Sequence, residues 1–156
     1  RFRLSTDAAG ANPTGPALDG EVEDYAVSIM TPGVGLVSSY MKVASDTNGG
    51  PTLSNGDSFG SAIASIGDLD GDGVIDLAVG ANRSNDAGTN SGAVYIQFMN
   101  TDGTVKSYQK ISTGIGGGPT LNAEDFFGTS VTAIGDLDQD GVIDLASSCF
   151  LNRNTE

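Results

Sequence analysis

The chain has 156 residues, of which 38% are apolar, 17% are charged and 23 are glycine, and its formal net charge is -13. That length fits one ordinary domain, and the apolar share is too high for a disordered acidic tail. Seven Lys and Arg scattered singly build no phosphate-neutralising stripe, which argues against a nucleic-acid partner; no run approaches the roughly 20 apolar residues of a membrane span, so no membrane insertion is expected in this segment.

Abundant glycine with few charges suits short strands and tight turns better than helices, because Gly is costly inside a helix and useful at positive φ. The chain opens on Arg1 without a charged-then-apolar leader, and is expected to be a piece of a longer polypeptide, so the missing leader says nothing about secretion. Cys149, the single cysteine, excludes an internal disulfide framework and a Cys-rich zinc site. Between Ser148 and Phe150, at an expected strand end, it reads as a small buried hydrophobe.

In chain order, Phe2 and Leu4 alternate with Arg1 and Arg3, and a Gly/Pro/Asn-rich turn follows from Asp7 to Gly20. In the next run Tyr25, Val27 and Ile29 recur at period two, the half-buried strand pattern. Together these predict a closing β-hairpin over residues 1–30. The stretches FRLST and DGEVEDY resemble the C-terminal end of the GEVED module, a β-sandwich-like domain of large bacterial secreted and surface proteins, over about 25 residues. Its acids Asp19, Glu21, Glu23 and Asp24 read either as a further metal cluster or as a solvated edge-strand face, the second favoured because charges on edges block strand addition. Residues 31–36, with Thr31-Pro32-Gly33-Val34-Gly35, punctuate the chain as a linker.

Beyond the linker, strands are expected at roughly Ser58–Ile66, Ile75–Gly80, Ala93–Met99 and Thr104–Ile111. A tight hairpin is expected at Thr101-Asp102-Gly103, since Asp-Gly takes positive φ readily. No segment sustains a 3.6-residue apolar period, so the chain reads as all-β. The Gly/Ser/Asn-rich connections Ala44–Asp57, Asn82–Ser91 and Ser112–Asp125 are expected at the surface.

The strongest signal is a tandem repeat: FGSAIASIGDLDGDGVIDLAVGA, from Phe59 to Ala81, returns 68 positions later as FGTSVTAIGDLDQDGVIDLASSC, from Phe127 to Cys149. The register holds upstream, where Gly49-Gly50-Pro51-Thr52-Leu53 faces Gly117-Gly118-Pro119-Thr120-Leu121. Each copy carries D-x-D-x-D-G-x-x-D. Alternating carboxylates with a glycine that lets the backbone curl suit calcium, which takes six to eight hard oxygens in loosely constrained geometry. The first loop offers Asp68, Asp70 and Asp72, a turn at Gly73, the carbonyl of Val74, and Asp76. The second offers Asp136, Asp138, Asp140, Gly141, Val142 and Asp144 in the same roles. An EF-hand needs a Glu at position twelve and flanking helices; Val79 and Ser147 stand there, in β-rich surroundings. Plain Asp-Gly turns would not keep all four aspartates in both copies while Gly71 becomes Gln139. Magnesium is less suited, because it retains waters and seldom uses all-protein cages.

Phe59-Gly60, the loop Asp68–Asp76 and Val79-Gly80-Ala81 together resemble an FG-GAP repeat, the blade unit of the integrin α N-terminal β-propeller and of many bacterial extracellular proteins. The resemblance spans residues 36–156. It implies four-stranded antiparallel blades with calcium between the first two strands, in an incomplete β-propeller that needs further blades of the same chain. The expected division is a GEVED-like remnant at 1–30, a linker at 31–36, a first repeat at 37–105 and a truncated second repeat at 106–156. The second copy departs from the family where Ser147-Ser148-Cys149 replaces Val-Gly-Ala. The resemblance further implies an extracellular or cell-surface location and a protein or glycan ligand; an architectural spacer, or an accessory propeller of a hydrolase or lyase, is the alternative. Asn82–Asn90 reads as a contact loop or an ordinary connector. No His, no G-x-S-x-G and no phosphate-binding loop is present, so no catalysis is expected.

Overall fold

The structure, a computed structural model, describes residues 25–30 and 37–150. The expected strand around Phe2 and Leu4, the turn Asp7–Gly20, the acids Asp19, Glu21, Glu23 and Asp24, and the linker lie outside the described residues. Every described element is a β-strand, and every strand pairing is antiparallel. No helix among these residues is long and apolar enough to cross a membrane.

Strand β1 (Tyr25–Met30) pairs with β2 (Val37–Val43), from Tyr25 opposite Val43 to Met30 opposite Val37. Then β3 (Phe59–Ser65), β4 (Leu77–Ala81), β5 (Ala93–Met99) and β6 (Val105–Ile111) form one four-stranded meander. These four strands match the sequence expectation to within two residues at each end. The pair β7 (Ser130–Gly135) and β8 (Asp144–Ser148) repeats the start of that meander. At the β5–β6 turn the Asn100 N–H bonds the Thr104 carbonyl, and Gly103 adopts φ +84°, the positive value expected there.

Period-two alternation sends neighbouring residues of β4 and β5 to opposite faces of the meander. Val79, Ala81, Ala93, Tyr95 and Met99 join Val43, Phe59 and Val105 on one face. Ala78, Val94 and Ile96 join Ile66, Leu121, Phe127 and Val131 on the other. Both faces are therefore covered, which is why β5 is almost continuously buried. The Phe59 and Tyr95 rings meet edge to face at 5.6 Å. By contrast β6 is an edge: Lys106, Ser107, Tyr108 and Gln109 are exposed, and a lysine on an open edge discourages pairing with another chain.

The second copy docks on the first through its Phe-Gly pair. Phe126 and Phe127 N–H groups bond the Asn90 and Ser91 carbonyls, each at 3.0 Å, and the Ser61 hydroxyl bonds the Gly128 carbonyl at 3.1 Å. This approach leaves no room for a side chain: a Cβ at Gly80 would stand 2.0 Å from the Gly128 carbonyl oxygen. The expected surface connections are thus partly interior, with Ser84, Ser91, Ser112, Leu121 and Asp125 buried. Backbone groups there find partners across the repeat junction, which a local reading of polarity does not foresee. Cys149, expected to be buried, is exposed. It lies just past β8, which pairs only with β7 among the described residues.

Candidate metal centres in the two aspartate loops

The first loop connects β3 to β4, and its mouth is closed by two backbone bonds, Ile66 N–H to the Asp76 carbonyl at 3.0 Å and Asp76 N–H to the Gly67 carbonyl at 2.7 Å. Asp68 then organises the turn: one carboxylate oxygen accepts from Gly71 and Asp72 N–H, and the other from Gly73 N–H at 2.8 Å. Asp72 accepts from Val74 N–H at 2.9 Å. Asp76 has 0% exposure, and its two oxygens accept from Leu69 N–H at 2.8 Å and from Met99 N–H at 3.0 Å. A buried carboxylate is tolerated when such donors satisfy it. Asp76 thereby ties the loop to the far end of β5.

The second loop repeats this wiring. Asp136 accepts from Asp140 and Gly141 N–H, Asp140 accepts from Val142 N–H at 2.8 Å, and Asp144 accepts from Leu137 N–H at 2.6 Å. Gly71 sits at φ +77° and its counterpart Gln139 at φ +65°, so the turn persists even where a side chain makes the left-handed conformation costly. The shape is thus retained without glycine, together with the Asp136 bonds from Asp140 and Gly141 N–H.

In each copy three of the expected ligands converge. Carboxylate oxygens of Asp68, Asp70 and Asp76 lie within 4.8 Å of one another, as do those of Asp136, Asp138 and Asp144. The position-five aspartates stand outside these triads: Asp72 and Asp140 turn to Val74 and Val142 N–H. Val74 and Val142 thus enter the structure as backbone donors to their neighbours. A set of hard, anionic oxygens on a curled loop fits calcium. When bound, a divalent cation would supply positive charge to relieve repulsion among these groups; the loop's own N–H donors hold the aspartates in place for it.

One residue absent from the sequence reading belongs to the first site. Lys106, at the start of β6, places its ammonium 2.6 Å from Asp70 Oδ2 and 2.5 Å from Asp72 Oδ2. That hydrogen bond, with the Val74 N–H, holds the Asp72 carboxyl below the usual aspartate range, and the two carboxylates push the Lys106 ammonium above its ordinary pKa. A lone lysine three residues beyond an Asp-Gly turn carries no sequence signal of this role.

At the opposite end of the meander a separate polar cluster closes the Asn82–Asn90 loop. Lys110 contacts Asp86 at 2.6 Å and the Ser84 hydroxyl at 3.2 Å, and lies 5.4 Å over the Tyr95 ring. Burial opposes ionisation of Asp86, but the Lys110 hydrogen bond and charge outweigh it and keep that carboxyl below the ordinary range. Nearby Asp57 lacks such a contact, and burial raises its pKa. Asn85 and Asn90 bond each other, and Asn90 reaches Glu124 of the second copy at 3.2 Å. The candidate contact loop is therefore stitched to its own sheet and to the next repeat.

Comparison with known proteins agrees with the fold. The family model of the FG-GAP repeat matches residues 59–96, from the first strand of the meander through most of the third. Integrin alpha-3 of Cricetulus griseus is 45% identical over 92 residues, covering 56% of this chain and 8% of that protein. Integrin alpha-2 of Mus musculus is 37% identical over 98 residues, covering 62% and 8%, and integrin alpha-4 of Xenopus laevis is 35% identical over 94 residues, covering 60% and 8%. The matched segment thus spans less than a tenth of each relative. Residues 59–96 carry an FG-GAP repeat, and the chain resembles segments of integrin alpha subunits.

Proposed function

We propose that this chain is a non-catalytic, calcium-binding FG-GAP propeller segment of a secreted or cell-surface protein, and that its assembled blades serve adhesion by binding a protein or glycan. The observation that carries the calcium reading is the paired convergence of Asp68, Asp70 and Asp76 and of Asp136, Asp138 and Asp144 at the same positions of two repeats. The adhesion reading is supported by the similarity to integrin alpha subunits. In this reading Asp72, Val74, Asp140 and Val142 complete the two ligand sets, Asp72 and Asp140 by turning a carboxylate inward when the ion arrives. The remaining expected parts, a GEVED-like unit over 1–30 and a boundary at 31–36, belong to the same proposal, although Tyr25–Met30 pairs across that boundary with Val37–Val43 and so joins the sheet of the repeat.

The test is calorimetric titration of the full chain with calcium. Two sites are expected, of roughly micromolar to millimolar affinity, the span of sensors and extracellular modules. Asp70→Ala and Asp138→Ala should each remove one. Absence of binding heat in the unsubstituted chain would refute the reading.

A further inference from the structure

In the first loop Lys106 bridges Asp70 and Asp72 at salt-bridge distance. Asp70 is one of the three converging carboxylates, so the lysine ammonium sits on a carboxylate that calcium would take at about 2.3–2.6 Å. An ammonium and a divalent cation repel each other strongly at that spacing and compete for the same lone pairs. The lysine is free to leave: it stands on the exposed edge strand, its side chain is 40% exposed, and its flexible stem can turn to solvent without disturbing either apolar cluster.

We propose that Lys106 is a tethered counter-ion of the first loop, occupying it without metal and swinging out when calcium binds. The first loop then binds calcium more weakly than its ligands alone would allow, and depends on calcium less for its folded shape. This rests on the calcium reading above. Two partly exposed ion pairs leave the lysine-free loop as a minor fraction, and apparent affinity falls by that fraction, so removing the lysine should tighten the site about fivefold.

In an Asp138→Ala background, which leaves the first loop as the single site, Lys106→Met should raise calcium affinity about fivefold by calorimetry. In chelator the same substitution should lower the urea midpoint, while Lys106→Arg should keep both near the parent values. In an Asp70→Ala background, where only the second loop remains, Lys106→Met should leave affinity unchanged. Unchanged or weaker binding at the first loop, or an equal shift at both, would overturn the proposal while leaving the calcium reading intact; no calcium binding by the unsubstituted chain would overturn both. A measurement on the unsubstituted chain avoids any folding defect. Acetylation of Lys106 by acetic anhydride, followed by mass spectrometry and normalised to Lys42, should quicken about fivefold on adding calcium. A rate indifferent to calcium would also overturn the proposal.

Discussion

Asp76 and Asp144 end the same motif, yet their surroundings give them different weights. Asp76 is fully buried and satisfies Leu69 and Met99 N–H groups, whereas Asp144 is half-buried and accepts from Leu137 N–H. Removing a buried acceptor strands its donors at about 1–3 kcal/mol each. Asp76→Ala should therefore cost roughly 2–6 kcal/mol and Asp144→Ala about 1 kcal/mol, measured by urea unfolding in chelator so that metal loss plays no part. Equal costs would mean that the Met99 bond contributes nothing. The converging aspartates could be singled out in the sequence as candidate ligands because alternating carboxylates and a turn glycine lie within nine consecutive positions. Lys106 could not, because its meeting with Asp70 and Asp72 depends on the β5–β6 hairpin folding back beside the β3–β4 loop, 34 residues away for the contact with Asp72.

Among elements, the four strands of the meander were legible from apolar runs rich in Val and Ile and from the Asp-Gly turn. What a local pattern could not convey was the junction between copies, where the Asn82–Ser91 and Ser112–Asp125 connections interlock through backbone bonds such as Glu124 N–H to the Thr89 carbonyl at 2.8 Å. The same junction explains why a glycine stands at position 80. Gly80→Ser would drive a Cβ into the Gly128 carbonyl, a backbone group that yields only if β7 moves. Overpacking of this kind costs about 1–3 kcal/mol, and here it should loosen the second copy selectively. Hydrogen exchange should show faster exchange in β7 and β8 with β4 and β5 still protected; uniform protection would mean that the docking is not rigid at this point.

Across the whole molecule, the β1–β2 hairpin repeats β5–β6: Val37–Val43 lies 68 residues ahead of Val105–Ile111, and Tyr25–Met30, matched through its pairing partners, corresponds to Val94–Met99, 69 residues on, with the same register shift before its last residue. Side-chain identity has drifted there while the strand pairing has not, so the repeat is clearer in the backbone than in the letters. Because four carboxylates crowd each loop, calcium should stabilise the fold by mass action, by about 2.7 kcal/mol per site at a hundredfold excess over Kd. Chelation should lower the melting temperature and leave the circular dichroism spectrum below the transition unchanged. An unaltered melting temperature would reduce the loops to simple turns. The junction also gives the molecule a direction. Phe127-Gly128 is a tenon and Gly80-Ala81 its mortise, and the second copy carries the tenon but not the same mortise, since Ser148 and Cys149 occupy the matching positions. A Phe-Gly pair docked against β8 in the same way would meet the Ser148 side chain where the first junction has only a hydrogen, so that joint would be spaced differently from the first.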